Sequence, residues 1–435
     1  MHHVVIGAGP AGVTACETLR QLDAGARITL IGDEPEPPYS RMAIPYFLTD
    51  KIGEQGTHLK SDPGFYEKHR IDVKRTLVDR VDSGVHTLHL NDGATLAYDR
   101  LLVATGSSPM LPPIPGIDSD GVHPCWTLAD ARQIHERAKP GSKVVLLGAG
   151  FIGCIILEAL ADRGVDLTVV EPMDRMVPRM MNQTAGGLLN LWCEQKGVKV
   201  LAGVKAVAVQ PGKKPKPGLL GSLFGGAKGD APVGTLTVDL DNGQSLEADL
   251  IIRATGVKPN VDFLEGSGVD VDQGVLVSEC LMTSADDVFA AGDVCQGLDV
   301  STRQFHVQAI QPTAVEHGRV AAHNMTSDCR IPHAGNLNMN VLDTLGLISS
   351  SFGLWQGVDG GDSAELLDAE RFRYLNLQFR DDRLVGATSL GLTENVGVIR
   401  GLIQSEKGLG VWKDKLLRDP TRVMEAYLAA VQGQG

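Results

Sequence analysis

The sequence predicts an α/β protein with two parallel-sheet domains and a smaller α+β region at its C-terminal end. The first observation is a repeated glycine pattern, GAGPAG at residues 7–12 and GAGFIG at residues 148–153. The second is its context, because a short aliphatic run precedes each copy and a helix-like segment follows it. The third is size and composition: 435 residues exceed what one ordinary core holds, and 43% hydrophobic content with 51 glycines suits an α/β fold with many tight turns.

Both glycine patterns have the spacing that a bound pyrophosphate requires. Glycine permits the tight turn, the close approach of the backbone to the anion and the close packing of helix on strand, and the anion rests on N–H groups at a helix N-terminus. Two such turns predict two Rossmann-like domains, each holding a dinucleotide, with electron transfer between them. The turn residues assigned to these contacts are Gly7, Gly9, Pro10, Ala11 and Gly12, then Gly148, Gly150, Phe151, Ile152 and Gly153.

The first unit continues with a helix over residues 13–22 and a strand over residues 27–31. Asp33 and Glu34 follow this strand, and an acidic residue about 20 positions past the glycines commonly binds an adenosine ribose. The alternative is that both are solvated loop charges, and the sequence leaves this open.

Three further strands end in short motifs. Ala104-Thr105-Gly106 follows one strand, and a near twin ending at Gly256 follows another after the second glycine turn. Residues 288–291 then lead into Gly292-Asp293, which places a carboxylate just beyond a strand. In this context the carboxylate is predicted to accept hydrogen bonds from the ribityl hydroxyls of a flavin.

The order GxGxxG, ATG, GxGxxG, ATG, AGD resembles the FAD-dependent pyridine nucleotide–disulfide oxidoreductase superfamily over about residues 1–325. The resemblance implies an FAD domain at 1–113 and 257–326, an inserted NAD-binding domain at 114–256 and an interface-type domain at 327–435. It also implies that a helix leading from Gln308 to Asn324 aims its N-terminus at the flavin. Beyond the glycine turns, the cofactor contacts implied are Asp33, Glu34, Arg41, Val78, Ala104, Thr105, Gly106, Glu171, Gly256, Gly292, Asp293 and Thr313.

Glu171 ends the second strand of the second unit. A carboxylate there bonds a ribose 2′-hydroxyl and repels a 2′-phosphate, so NADH is predicted over NADPH. Arg175 and Arg179 lie downstream and weaken that prediction. The alternative is that Glu171 is a plain surface residue.

The reactive cysteine that carries out thiol exchange in this superfamily is missing from its expected position. In coenzyme A disulfide reductase and NADH oxidase relatives, a Cys-Gly-Leu-Pro-Tyr-Tyr segment aligns with residues 42–47, so Met42 stands at the cysteine position. A thioether forms no thiolate, which excludes thiol exchange by the family route. The seven cysteines form no C-x-x-C pair, and Cys16 and Cys154 are interpreted as buried apolar residues.

The same stretch resembles the Pro-Tyr-x-Arg segment of ferredoxin, rubredoxin and assimilatory nitrite reductases, which lack the cysteine. Arg41 matches their flavin-side arginine. Tyr46 stands where some of them have a lysine, and Ile155 stands where they have its glutamate partner, so both charges of that pair are lost together. Glu158, one helical turn on, is the hypothesised replacement for the nicotinamide contact. Arg41, Tyr46 and Glu158 are therefore the candidate catalytic residues.

The predicted function is an FAD-dependent NADH oxidoreductase in which hydride passes from NADH to FAD. Electrons then leave singly to a redox protein, such as an iron–sulfur protein, or to a metal centre, and the acceptor docks near residues 39–46 or on the C-terminal domain. The first alternative is an NADH oxidase or quinone reductase. The second is a non-catalytic, flavin-bearing NADH-sensing subunit of a redox complex. A homodimer is left open.

Charge and composition exclude other classes. A net charge of −13 argues against general nucleic-acid binding. The sequence contains no run of about 18 apolar residues, so no transmembrane helix is predicted. The first strand is predicted to begin by residue 3, without a signal peptide, and the dispersed cysteines are read as reduced thiols, so the prediction is a cytoplasmic protein. The histidines form no metal-binding pattern, and no metal site is predicted.

Residues 211–234 interrupt the second unit with glycine, proline and four lysines. They are interpreted as a flexible loop, with a tether for a partner or a membrane surface as the alternative. In the tail, strands are predicted at 374–379 and 384–387 and helices at 396–405 and 420–431.

Overall fold

The computed structural model describes residues 1–211, 235–327 and 330–432. The chain forms two compact units, one from Met1–Ser108 and Val257–Asn338 and the other from Pro109–Gly256 and Met339–Gly435. Apart from Pro211, which ends a strand, the predicted loop or tether at 211–234 lies outside the described residues.

The first part of the chain forms strands β1 (His2–Ile6), β2 (Arg27–Gly32), β3 (Ile71–Arg75), β4 (Val78–Asp82), β5 (Thr87–Leu90), β6 (Thr95–Ala97), β7 (Arg100–Val103) and β8 (Ser107–Pro109), with helices α1 (Pro10–Leu22), α2 (Ile44–Leu48) and α3 (Phe65–Lys68). The next part forms β9 (Val122–Pro124), β10 (Lys143–Leu147), β11 (Asp166–Glu171), β12 (Lys199–Ala202), β13 (Ala206–Pro211), β14 (Leu236–Leu240), β15 (Ser245–Ala248) and β16 (Leu250–Arg253), with α4 (Leu128–Arg137), α5 (Phe151–Asp162) and α6 (Gln183–Gln195).

The remaining elements follow the second Ala-Thr-Gly motif. The third part forms β17 (Val257–Pro259), β18 (Val275–Leu276), β19 (Val288–Ala290), β20 (Cys295–Asp299) and β21 (Gln304–Val307), with α7 (Gln311–Thr326). The last part forms β22 (Met339–Thr344), β23 (Leu347–Gly353), β24 (Asp362–Asp368), β25 (Arg373–Arg380) and β26 (Arg383–Leu390), with α8 (Val396–Ser405), α9 (Val411–Arg418) and α10 (Val423–Gln432).

The first unit is built on a five-stranded sheet in the order β19-β7-β1-β2-β3, and every neighbouring pair is parallel. Val4 and Val5 of the central strand are fully buried, because Val5 packs among residues of α1 and α7 on one face and Val4 packs among residues of β4 and β5 on the other. On one face α1 packs against α7 at very close range: a Cβ added to Gly318 would lie 2.2 Å from the carbonyl oxygen of Ala11. This contact places the middle of α7 against Ala11 of the first glycine turn.

The second unit repeats this arrangement with a parallel sheet in the order β12-β11-β10-β16-β9. In both sheets the glycine turn leaves the central strand, and the strand that ends in Ala-Thr-Gly is its neighbour. The repeat predicted from the motifs is thus a repeat of topology, and each carboxyl edge carries one turn.

The second unit also contains an antiparallel sheet in the order β22-β23-β26-β25-β24. Contacts join it to α6, where Nδ2 of Asn182 donates to the hydroxyl of Tyr374 at 2.6 Å and Nε1 of Trp192 donates to the carbonyl of Thr344 at 3.0 Å. Most of the predicted third domain therefore belongs to this compact unit. The assignment of 1–113 with 257–326 to FAD, of 114–256 to NAD and of 327–435 to an interface-type domain stays a prediction.

Local sequence explains the starts of several helices. Pro10 and Pro312 lie in the first turns of α1 and α7, and α4 begins with a capping box between Thr127 and Asp130. The helix predicted at 396–405 is present with those bounds as α8. The helix predicted at 420–431 begins as a 3₁₀ turn and continues as α10. Within the described ranges, no helix combines the length and apolarity needed to cross a bilayer.

Candidate functional site

The two glycine turns have the same hydrogen bonding and the same steric demands. The backbone N–H of Gly7 donates to the carbonyl of Ile31 at 2.8 Å, and that of Gly148 donates to the carbonyl of Val170 at 2.8 Å. Both glycines have a positive φ, +114° and +101°. A Cβ on Gly7 would lie 2.0 Å from the carbonyl oxygen of Ala104, and one on Gly148 would lie 2.5 Å from the equivalent oxygen in the second Ala-Thr-Gly motif. Each ATG motif therefore backs its glycine turn.

The middle glycine of each turn faces open space. No protein atom lies within 4 Å of a Cβ built on Gly9 or on Gly150. Each is the N-cap residue of its helix, and no side chain caps the first N–H groups of α1 or α5. An open cradle in front of uncapped N–H groups is the geometry that a pyrophosphate needs, so the residues present fit two dinucleotides. The third glycine of each turn has no room for a side chain. A Cβ on Gly12 would lie 1.9 Å from the carbonyl oxygen of Gly7, and one on Gly153 would lie 2.2 Å from that of Gly148.

Glu171 lies directly against the second turn. It is only 6% exposed, and its carboxylate accepts hydrogen bonds from the backbone N–H of Ala149 at 2.7 Å and of Met173 at 2.9 Å. Glu171 is therefore not a plain surface residue. Its position at the end of β11 matches the role predicted for it toward the adenosine ribose, and that role stays a prediction.

The basic residues downstream of Glu171 are placed differently from each other. Nε of Arg175 donates to the carbonyl of Met181 at 3.0 Å, Nη2 donates to that of Pro178 at 3.3 Å, and Nη1 contacts Asp174 at 2.5 Å. Arg179 is exposed. Because Arg175 is committed to carbonyls and a carboxylate, it favours a 2′-phosphate less than its sequence position suggested.

The first unit lacks a carboxylate at the position equivalent to Glu171. Gly32 occupies that place, and a Cβ there would lie 2.9 Å from Cβ of Ala8. The acidic residues come later in the chain: Asp33 is exposed, whereas Glu34 is half-buried. Asp33 is thus the more accessible candidate for a ribose contact.

Glu34 organises the Pro-Tyr-x-Arg segment. Its carboxylate accepts from the hydroxyl of Tyr39 and pairs with Nη2 of Arg41 at 2.6 Å. The hydroxyl of Ser40 donates to the side-chain carbonyl of Gln311 at 2.6 Å, which ties the same segment to the first residue of α7. The sequence predicted neither the pairing of Glu34 with Arg41 nor the hydrogen bond from Ser40 to Gln311. For the first contact, an acidic residue shortly before Pro-Tyr-x-Arg was a usable signal. Glu34 is therefore not a solvated loop charge.

Asp293 lies in a 3₁₀ turn, Gly292–Val294, directly after β19. Its carboxylate accepts from the hydroxyl of Ser107 at 3.3 Å. Burial raises the pKa of this carboxyl, while the hydrogen bond from Ser107 and the positive charge of Arg41 act in the opposite direction. The structure thus places Asp293 and Arg41 within electrostatic reach of each other in the first unit.

The other predicted cofactor residues of the first unit are mostly buried or held by hydrogen bonds within that unit. Thr313 is 1% exposed in the first turn of α7, and Val78 is 5% exposed and packs in the core with its side chain. Thr105 exchanges two hydrogen bonds with Asn260, each 2.9 Å long, and the N–H of Asn260 donates to the carbonyl of Gly106 at 3.0 Å. Asn260 fixes the end of the first ATG motif and was not predicted.

The described cysteines are all free thiols, and most are buried. Burial raises the pKa values of Cys125, Cys193 and Cys295 to about 12 and shifts those of Cys16 and Cys154 higher still. A thiol with such a pKa is protonated near neutral pH and is a poor nucleophile. Burial and the raised pKa both argue against any of these five thiols as a replacement for the reactive cysteine, whose position Met42 occupies.

The three candidate catalytic residues are distributed over both units. Met42 and Tyr46 are 47% and 56% exposed, and Arg41 begins the 3₁₀ helix Arg41–Ala43 that precedes α2 in the first unit. Glu158 is half-buried on α5 in the second unit, and Ile155 lies one helical turn before it. Their catalytic roles stay predictions. Across the described part of the chain, no group of three or more His, Cys, Asp or Glu residues is arranged to hold a metal ion.

Comparison with known proteins gives a matching family and relatives whose names refer to NAD(H)-dependent oxidoreductases. Residues 1–318 match the model of the family described as pyridine nucleotide-disulphide oxidoreductase. The chain is 30% identical over 425 residues to the NADH-dependent phenylglyoxylate dehydrogenase subunit epsilon of Aromatoleum evansii, covering 97% of this chain and 96% of that protein. It is 30% identical over 436 residues to the anthranilate 1,2-dioxygenase system ferredoxin–NAD(+) reductase component of Burkholderia cepacia, covering 98% of each.

A solved structure shows the same fold. The NAD-dependent persulfide reductase from A. fulgidus matches this chain with a TM-score of 0.83 and 26% identity, covering 94% of this chain and 78% of that one. This likeness confirms the predicted fold class.

Proposed function

The chain belongs to the pyridine nucleotide-disulphide oxidoreductase family, and from that membership we propose that it passes electrons from NADH to an iron–sulfur or other metal-centre redox protein. It is an oxidoreductase that binds FAD and NAD(H). The observation that carries the proposal is the pair of open glycine cradles at Gly9 and Gly150, in a chain whose described cysteines are mostly buried. The ferredoxin–NAD(+) reductase component among the relatives supports a protein acceptor.

Protein residues supply binding and orientation in this scheme. When bound, FAD and NADH supply hydride transfer and electron transfer, chemistry that side chains do not provide. The first glycine turn would hold the pyrophosphate of FAD, and the Asp293 carboxylate would accept hydrogen bonds from its ribityl hydroxyls. The start of α7 has no side-chain cap, so its free N–H groups and positive helix end favour the anionic form of a reduced flavin. Arg41, which pairs with Glu34, and Tyr46 would lie beside the flavin, and Glu158 would contact the nicotinamide.

The acceptor is tested by stopped-flow reduction with NADH followed by reoxidation with ferredoxin, rubredoxin, a quinone and oxygen. We expect rapid reduction and fastest reoxidation by a protein acceptor. Faster reoxidation by oxygen or quinone would support the NADH oxidase alternative instead. Reduction too slow for turnover would support the NADH-sensing subunit.

The acceptor is proposed to dock on the exposed surface at residues 39–46. Met42 and Tyr46 expose 47% and 56% of their surfaces there, beside the segment that Glu34 and Gln311 hold in place. An exposed aromatic and an exposed thioether at the edge of a rigid segment are typical of protein contact surfaces. The C-terminal domain is the alternative docking surface.

Nicotinamide preference depends on Glu171 in this proposal. Glu171→Gln is expected to raise KM for NADH about tenfold, because a charged acceptor toward the ribose is lost, and to narrow the preference over NADPH. The measurement is kcat/KM for both nucleotides. Arg179→Gln, an exposed residue downstream, is the control and is expected to leave KM for NADH within about twofold. Equal KM values for both nucleotides in the unmodified protein would contradict the proposal.

Electron transfer is proposed to need no thiol. Alkylation of the native protein with iodoacetamide is expected to leave NADH-driven acceptor reduction within about twofold of its starting rate, because the buried thiols are protonated. Cys280, the partly exposed cysteine of the described part, is the most accessible, so Cys280→Ser is the matched variant. Loss of activity in both the alkylated protein and the alkylated Cys280→Ser variant would point to a reactive thiol and overturn this part of the proposal.

We propose a cytoplasmic location and assembly into a redox complex. The dispersed, unpaired cysteines of the described residues support a reducing compartment. Similarity to a dehydrogenase subunit over 97% of this chain supports a role as one subunit of a larger assembly, with a homodimer as the alternative. Size-exclusion chromatography with light scattering on the protein purified from its native cells distinguishes the two.

A further inference from the structure

A buried cluster of Cys295, His317 and His333 lies in the first unit, outside both nucleotide motifs. Their exposed fractions are 0%, 1% and 3%. Cys295 begins β20, His317 lies on the second turn of α7, and His333 precedes β22. Neither the glycine turns nor the proposed electron path uses any of them.

His317 accepts a hydrogen bond from the turn that carries Asp293. The backbone N–H of Gly292 donates to Nδ1 of His317 at 3.4 Å. The sulfur of Cys295 lies 3.6 Å from the same nitrogen and 3.4 Å from the carbonyl oxygen of Gly292. Nδ1 is therefore the acceptor, and the proton of the neutral ring lies on Nε2. Burial lowers the pKa of His317 to about 3, so the ring keeps this acceptor at neutral pH.

The surroundings fix the imidazole ring of His317. A Cβ on Gly297 would lie 2.6 Å from Cε1, so the ring fills the space that a side chain on β20 would need. The edge of His333 packs against it with a centroid distance of 4.6 Å and an interplanar angle of 90°. Nε2 of His333 is in turn 3.6 Å from the carboxylate of Glu316. The ring of His317 is thus held from two sides in one orientation.

The turn that His317 contacts joins the main elements of the first nucleotide site. Gly292 has a φ of +81°, and a Cβ there would lie 3.2 Å from Cβ of Ala11 and 3.4 Å from Cβ of Ala314. Ala11 belongs to the first glycine turn and Ala314 to the first turns of α7, while Asp293 is the next residue along the chain. A shift of Gly292 would therefore move Asp293 relative to both.

We propose that His317 is a positioning residue for the flavin, which fixes the Gly292–Asp293 turn by accepting a hydrogen bond from the Gly292 N–H and so holds the Asp293 carboxylate where it would bind the ribityl chain. The proposal rests on FAD binding in the first unit. Without the acceptor at Nδ1, a buried N–H loses its partner and the turn relaxes to find another.

The test compares His317→Asn with His317→Leu. Oδ1 of asparagine takes the place of Nδ1 and keeps an acceptor, whereas leucine keeps the bulk and removes the acceptor. The readouts are the Kd for FAD, measured by quenching of flavin fluorescence on apoprotein, and the midpoint potential of the bound flavin. We expect the leucine variant to bind FAD about tenfold more weakly and the asparagine variant to stay within about threefold of the parent.

Equal losses in both variants, or parental affinity and potential in the leucine variant, would overturn the proposal. If the leucine variant does not fold, nitrogen NMR of the histidine-labelled parent decides, because a proton on Nδ1 of His317 would contradict the acceptor role. Failure of the unmodified chain to bind FAD would instead refute the proposed function, which keeps the two outcomes distinct.

Discussion

Gly9→Val is expected to yield a protein that folds but no longer holds FAD. No atom lies within 4 Å of the added Cβ, so the apoprotein has room for the side chain, whereas the pyrophosphate of a dinucleotide needs that same space. Gly150→Val is the matched variant in the second unit, where the same open space is found. It is expected to retain FAD and to lose NADH.

The Kd for the nucleotide concerned is expected to rise about 10- to 100-fold, because forced overpacking of a site typically costs about 1–3 kcal/mol. A smaller cost falls on the apoprotein, since valine is a poorer N-cap than glycine. The measurements are the ratio of FAD to protein after purification, from flavin absorbance, and the Kd for NADH by titration. Gly9→Ala and Gly150→Ala are expected to give intermediate losses.

Gly7→Ala and Gly148→Ala are the controls for a general defect. Their added Cβ atoms would lie 2.0 and 2.5 Å from carbonyl oxygens of the ATG motifs, so these variants are expected to lose stability rather than one cofactor. If Gly9→Val kept FAD and lost NADH, the assignment of the two nucleotides would be reversed. If both valine variants bound both nucleotides normally, the open cradles would not be the pyrophosphate sites.

The features that could be predicted from sequence are those in which local backbone geometry dictates the residue. Gly7 and Gly148 have positive φ and touch a neighbouring strand end, so a side chain is excluded and the pattern can be read directly. Strands β1 and β10 are short buried apolar runs, and α8 begins and ends where its apolar period does. The paired topology followed from these motifs.

The features that sequence did not reveal depend on contacts between distant positions. Ser40 and Gln311 are 271 positions apart, so their hydrogen bond has no local signal. Glu34 pairs with Arg41, and its predicted contact with the ribose stays a prediction. The packing of the C-terminal sheet on α6 depends on Tyr374 and Trp192, whose partners lie more than 150 positions away. Helix α9 has only eight residues, which is too short for a clear period.

The first unit is expected to lose stability steeply as the pH falls from 6.5 to 4.5. His3 and His317 are 0% and 1% exposed, and burial lowers their pKa values to about 4 and about 3. Both nitrogens of His3 are without a hydrogen-bond partner among the described residues, so this ring is buried as the neutral form. In the unfolded chain each histidine takes up a proton near pH 6.5, and this proton uptake favours unfolding.

The sign and size follow from proton linkage. Because the folded-state pKa values lie below the unfolded value, the stability from these histidines is fully present above pH 6.5 and is lost as the pH falls toward the folded values. Between pH 6.5 and 4.5 the two together are expected to remove about 4 kcal/mol, a large share of the stability of one domain. Burial also raises the pKa of Asp293, which has the opposite sign, because this carboxyl binds its proton more readily in the folded state and so offsets part of the loss as the pH falls.

The measurement is the urea midpoint of unfolding at several pH values, for the parent and for a His3→Gln, His317→Asn double variant. The double variant is expected to start from lower stability at pH 7.5 and to show a flatter decline below pH 6.5, because the buried titrating rings are gone. His69→Gln, at an exposed position, is the control and is expected to keep the parental slope. A parental slope in the double variant would mean that the acid sensitivity comes from other groups, with His333 the next candidate because burial lowers its pKa as well.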